Sequence, residues 1–475
     1  MVHSPSHADD LCFMSATDAI AAFKARVLSP VEVAKALIAR SERLQPAINS
    51  FTHVFYERAL RQAQIAEAAY GRIASSHRPL EGIFVAIKDF HPVKGEITTF
   101  GSKVFREHRP AHTAPYVQRL LDAGTIMFGR TTTPEFAFDS RTRSPLWGIT
   151  RNPWNYDYSA GGSSGGAAAA VSAGMTTIAD GTDGGGSIRI PASACGVVGY
   201  KPPYGRNPTD RGHPLETMLH YGPITRTVSD AALMQNVTSG PHVEDQGSLR
   251  DRITIPDGIQ SLKGTRIALS MDLGFFHVDP EVRRNTLAAA EAFRDLGCDV
   301  EEVHLGWDWD SVRTWSMRWA VMLAGLSGEL IADFEADLDP EVVTYIRKGL
   351  ATDAVSNYRG NSVIARMYET LGPILSNYSI LICPTLALPS VTHEEDYQDF
   401  KIDGKGVPLS RGGWSMTSPF NLLYQCPVMS VPTGFASSGI PTGMQIVGPT
   451  YDDSSVFRFA AAFEAIRPWS ARRPL

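Results

Sequence analysis

Two glycine clusters, GGSSGG at 161–166 and GTDGGGSIR at 181–189, constrain this chain more than any other feature. Between them runs AAAAVSAG, a helix-compatible stretch, and after the second comes the apolar CGVVGY. A flexible linker has a similar composition. Both clusters, however, sit at element boundaries, where glycine lets a backbone turn sharply or approach a ligand closely. The segment 152–204 is therefore expected to be tightly folded. The run Gly166 to Ala179, about fourteen small residues, reads as a packed internal helix, since a membrane span needs roughly twenty bulky apolar ones.

The rest of the chain alternates strand and helix signals. Ser29-Pro30-Val31-Glu32 combines an N-cap serine, a proline at the first helical position and a glutamate at N3, so a helical segment is expected over 1–75. GIFVAI at 82–87 reads as a buried strand ending at Lys88, and TIMFG at 125–129 as a second, after a helix over 115–123. Further strands are expected at 264–270, 378–384, 427–432 and 444–447, with helices over 280–297 and 454–466. The alternation predicts an α/β fold with one large sheet drawing on the whole 475-residue chain. On this reading a single domain comprises the helical segment 1–75, a core over 76–235 that holds both glycine clusters and an α/β part over 236–475 that completes the sheet and pocket.

Composition removes several classes of function. Fifty acidic and 44 basic residues are scattered rather than blocked, for a net charge of -6, which leaves no footprint for nucleic acid. Five cysteines, Cys12, Cys195, Cys298, Cys383 and Cys426, are widely spaced with no CxxC pair. They predict buried free thiols in a reducing compartment rather than a disulfide framework or a zinc site. The start, MVHSPSHADD, is polar, with no apolar core for a secretory signal. Cytoplasmic residence, a small-molecule ligand and no membrane association follow as expectations. Oligomeric state, monomer or homodimer, is not legible.

Amide hydrolysis needs a nucleophile, a base that takes its proton and passes it to the amine, and donors for the oxyanion. Gly184, Gly185 and Gly186 lead directly into Ser187, so backbone N–H groups can reach a ligand oxygen unobstructed by any Cβ; Ser187 is the candidate nucleophile. Of the 13 histidines none lies in a stretch of catalytic character, and His91, His108, His112 and His213 have polar, loop-like surroundings. Lys88 ends an apolar strand, where burial would lower its pKa and yield a neutral amine able to act as base. Taken alone, such a lysine is more commonly exposed or ion-paired, here with Asp89.

The stretch GGSSGGAAAAVSAGMTTIADGTDGGGSIRIPASACGVVGYKP resembles the signature segment of the amidase signature family. GIFVAIKDFHPVKG at 82–95, TRNPWN at 150–155, GPITRTVSDAAL at 222–233 and SGIPTGMQIVGP at 438–449 resemble other family segments, so the similarity runs through nearly the entire chain. The resemblance implies a large twisted mixed β-sheet with helices on both faces, and a Ser-cisSer-Lys triad: Ser187 as nucleophile, Ser163 as bridging serine after a cis peptide, Lys88 as base, with Gly184 to Ser187 amides as oxyanion hole. It implies an acyl-enzyme and no cofactor. Two departures touch the pocket: Phe84 stands where the family usually has proline, and Phe90 where it often has asparagine.

Competing readings remain. Gly161-Gly162-Ser163-Ser164-Gly165 also fits the G-x-S-x-G elbow of a Ser-His-Asp esterase, but an elbow needs an apolar strand before it and NPWNYDYSA is not one. The glutamine-hydrolysing component of an amidotransferase complex shares the signature, and a non-catalytic binding protein on this scaffold would be expected to lack a triad residue. Phe136, Phe138, Trp147 and Tyr158 flank the signature and are candidates for an apolar substrate site, with Arg206 as a candidate for a substrate carbonyl or carboxylate. Their abundance favours aryl or alkyl amides, anilides and urethanes over free glutamine.

Overall fold

Every residue of Phe84–Lys88 is buried, as expected of a strand covered on both faces. The computed structural model describes residues 8–71, 77–210, 216–395, 399–408 and 412–474, and in it this strand lies within an eleven-stranded mixed sheet. Numbered in chain order, the strands of that sheet are β1 (Phe51–Val54), β2 (Phe84–Lys88), β3 (Ile126–Thr131), β4 (Ile178–Asp183), β5 (Val198–Lys201), β6 (His220–Thr225), β7 (Arg266–Leu269), β8 (Asp299–Glu302), β9 (Ile380–Pro384), β10 (Val428–Phe435) and β11 (Pro441–Val447). Their spatial order is β1-β3-β2-β4-β6-β5-β10-β11-β9-β7-β8. The neighbours β3, β2 and β4 run parallel, as do β9, β7 and β8; the other pairs are antiparallel. The expected α/β fold with one large mixed sheet flanked by helices is what the chain adopts.

Local signals account for many element ends. Ser29 accepts the Val31 N–H at 3.0 Å and Glu32 accepts the Ser29 N–H at 2.9 Å, so the capping box starts helix Pro30–Ile48 as read. Asp279 accepts the Glu281 N–H at 2.8 Å ahead of Pro280–Asp295. Two expectations need correction. The helix foreseen over 166–179 is only Gly165–Ser172, because Gly174 takes φ +66° and turns the chain into β4. The segment 1–75 is not purely helical: its residues Phe51–Val54 form edge strand β1, paired with β3. The five cysteines are buried free thiols, and no helix among the described residues is long and apolar enough to cross a membrane.

Ser29→Ala removes an N-cap acceptor and is expected to lower stability by about 1 kcal/mol, measurable as a reduced denaturation midpoint in urea at unchanged slope.

Candidate active site

Lys88 is the last residue of a strand with no exposed face, so its side chain must end inside the protein; it is 0% exposed. Neighbouring strand β4 presents Asp180 and Thr182 on one face, two residues apart. Asp180 Oδ1 accepts the Lys88 backbone N–H at 2.6 Å, while Lys88 Nζ donates to Thr182 Oγ1 and to Ser163 Oγ, both at 2.7 Å. Asp89, the partner that a paired lysine would have used, instead accepts the Thr99 N–H at 2.9 Å and faces Arg130 at 3.7 Å. Burial pushes the Lys88 amine down to about 7, against the opposing pull of Asp180 and Asp183.

Ser163 follows a cis Gly162–Ser163 peptide, and the next residue joins the two glycine clusters: the Ser164 N–H donates to Ser187 O at 3.1 Å. Ser163, Thr182, Gly184 and Ser187 line one cavity of about 430 Å³. Ser187 is 9% exposed, enough to meet a ligand in it.

The turn between β4 and Ser187 is held by a buried ion pair. Arg189 donates from Nε to Asp183 Oδ2 at 2.9 Å and from Nη2 to Asp183 Oδ1 at 2.8 Å. Its remaining donors reach Thr417 O at 3.1 Å, Gln445 Oε1 at 2.6 Å and Asn421 Oδ1 at 2.7 Å. Burial alone would raise the Asp183 pKa, but Arg189 and Asn421 hold it well below the usual carboxylate range. Asp183 Oδ1 also accepts the Gly186 N–H at 2.8 Å. This corrects the glycine reading: the Gly186 amide is committed to Asp183, whereas the N–H groups of Gly184, Gly185 and Ser187 have no intramolecular acceptor among the described residues. Gly186, at φ +122°, turns the chain so tightly that a Cβ would lie 1.9 Å from Thr417 Oγ1.

The cavity is apolar around this polar floor. Phe90, Phe100, Phe105 and Phe136 contribute one set of walls; Trp319, Met322, Leu323 and Leu326 from helix Trp309–Ser327 and Leu330 at the start of helix Leu330–Phe334 contribute another. Phe100, Phe136 and Ala137, all lining the cavity, have φ of 52°, 50° and 58°, left-handed conformations that are costly for non-glycine residues and concentrate at working sites.

Of the residues proposed to bind substrate, Phe136 lines this cavity and the others do not. Phe138 packs edge-on against Tyr345 at 4.7 Å. Trp147 Nε1 donates to Thr99 Oγ1 at 3.0 Å, and its ring meets His53. Tyr158 bridges to Thr392. Arg206 is buried and ion-paired with Asp453 at 3.0 Å, because a buried guanidinium is retained only with a partner. His91, read as loop-like, is fully buried, 3.2 Å from Asp180 Oδ2 and edge-on to Tyr221. His108 and His112 lie outside this cavity, and His213 lies outside the described residues. Asp183 and Arg189 lie within the second glycine cluster, where no local signal marks their pairing; Trp319 and its neighbours, more than a hundred residues downstream, carry no sequence signal for the site.

The model of the Amidase family matches residues 32–457. The chain belongs to the amidase signature family. An acylamidase of Rhodococcus erythropolis is 36% identical over 473 residues, covering 98% of both chains. The structure of a bacterial aryl acylamidase, itself an amidase signature enzyme, superposes with TM-score 0.90 at 31% identity, covering 98% of this chain and 99% of that one. A glutamyl-tRNA(Gln) amidotransferase component of Geobacter metallireducens is 32% identical, covering 95% of this chain and 96% of its own length. This family member is a hydrolase acting on amide C–N bonds. The esterase-elbow reading fails on the fold as well: the strand before Ser163, Asn155–Ser159, pairs with Arg151–Asn152 in a separate two-stranded sheet and is not a strand of the large sheet.

Arg189→Ala would leave Asp183 buried and unpaired and is expected to destabilise the protein by about 3–5 kcal/mol, read from chemical denaturation.

Proposed function

We propose that this amidase is a stand-alone serine hydrolase in which Lys88, Ser163 and Ser187 form a proton relay. The observation that carries the reading is the 2.7 Å contact between a fully buried Lys88 Nζ and Ser163 Oγ, in the same cavity as Ser187. Neutral Lys88 takes the Ser163 proton as Ser163 takes that of Ser187, and Ser187 Oγ attacks the carbonyl. The free N–H groups of Gly184, Gly185 and Ser187 stabilise the oxyanion, while the Asp183–Arg189 pair holds their turn rigid. As the tetrahedral intermediate collapses, Ser163 protonates the departing amine and is reprotonated from Lys88. Water then removes the acyl group from Ser187 by the reverse path.

The aromatic and aliphatic walls favour apolar acyl groups, anilides and aryl amides, with aryl carbamates as slower substrates, over free glutamine. The likeness to an acylamidase and an aryl acylamidase supports the same class.

The purified chain is expected to release aniline from acetanilide and from N-phenyl carbamates without added partner proteins, and Ser187→Ala to reduce this by roughly 10⁴-fold or more while leaving circular dichroism unchanged. Glutaminase activity appearing only with partner proteins, with no anilide turnover, would overturn the stand-alone reading. Because the base must be neutral and its pKa is lowered to about 7, kcat/KM should rise with pH through that value and level off above it. A pH-rate profile without this acid limb contradicts the role of Lys88.

A further inference from the structure

A second cavity, of about 320 Å³, abuts the reaction pocket, and Phe90 and Phe100 are the residues that line both. Their rings meet edge-to-face at 5.8 Å, so the two cavities are separated by an aromatic partition. Beyond it Pro92 and Tyr221 provide apolar surface, and His112 pairs with Asp210 at 2.9 Å. The partition also has a definite relation to the chemistry: the Phe90 ring centroid is 5.7 Å from Lys88 Nζ, the atom bonded to Ser163.

If Ser163 protonates the leaving nitrogen, as the proposed relay requires, the substituent on that nitrogen lies on the Ser163 flank of the pocket, beside Phe90. We infer that Phe90 is a specificity-determining residue for the amine half of the substrate, and that the cavity behind it is an amine-side subsite for a bulky aryl group, closed off in this chain by the Phe90 ring. The inference rests on the relay reading for which half of the substrate faces Phe90. Phe100 is the fixed half of the partition, since its left-handed backbone at φ 52° and the 2.8 Å bond from the Phe136 N–H to its carbonyl hold it in place. Phe90 follows the strand end and is half-buried, with solvent-reachable space on its far side.

The test compares kcat/KM for acetanilide, N-(1-naphthyl)acetamide and octanoylanilide in the wild type, Phe90→Leu and Phe90→Ala. Opening the partition should raise the naphthyl-to-phenyl ratio by roughly tenfold in Phe90→Ala, the scale of one side chain's worth of apolar contact, and by less in Phe90→Leu. The octanoyl-to-acetyl ratio should stay within about twofold, as expected for a wall that does not touch the acyl group. Ratios taken within one variant cancel any loss of folded enzyme. A change confined to the octanoyl ratio would place Phe90 on the acyl side, and no change in either ratio would deny it any role; both outcomes overturn the inference. Failure of the underlying relay has a different signature, wild-type turnover that survives Ser187→Ala. In that case calorimetric titration of 1-naphthylamine still decides the subsite: binding tightened by Phe90→Ala supports it, and unchanged binding removes it.

Discussion

The Asp183–Arg189 pair links parts of the chain that are far apart in sequence. Both ions are 0% exposed, and neither could remain there alone, since an isolated buried charge is far costlier than a paired one. Arg189 therefore places its remaining donors on Thr417, Gln445 and Asn421, which come from β11 and from the chain between β9 and β10. The same carboxylate takes the Gly186 N–H. One ion pair thus fixes the β4 turn, orients the amides around Ser187 and ties the first glycine-rich half of the chain to its last strands.

Around this anchor the site is built on burial without charge compensation. Lys88 Nζ meets two hydroxyls and no carboxylate within ion-pairing distance among the described residues. Asp180, the nearest acid in its surroundings, binds the Lys88 backbone N–H instead, and burial pushes its own carboxyl up to about 7. A lysine so placed loses its proton near neutral pH for the reason that disfavours any unpaired ion in a low dielectric. The aromatic and aliphatic walls of the cavity keep that dielectric low, so the surroundings of the pocket also bear on the basicity of the group next to it.

The fold class, the strand that carries Lys88, the capping box at Ser29 and the glycine run leading into Ser187 are legible as short-range signals, namely periodicity, a cap and glycines at an element boundary, whereas Ser163 is singled out only by the resemblance to the amidase signature family. The sequence also contained Asp183 and Arg189, six residues apart, without indicating that their pairing would engage the Gly186 amide. Tertiary structure decided what no local signal encodes. Helix Trp309–Ser327 brings Trp319 and Met322 over the site, whereas Phe138, Trp147 and Arg206, closer to the signature in sequence, are claimed by Tyr345, Thr99 and Asp453. Side chains go where packing and charge pairing leave room for them, and those are properties of the assembled sheet and its helices rather than of any stretch of sequence.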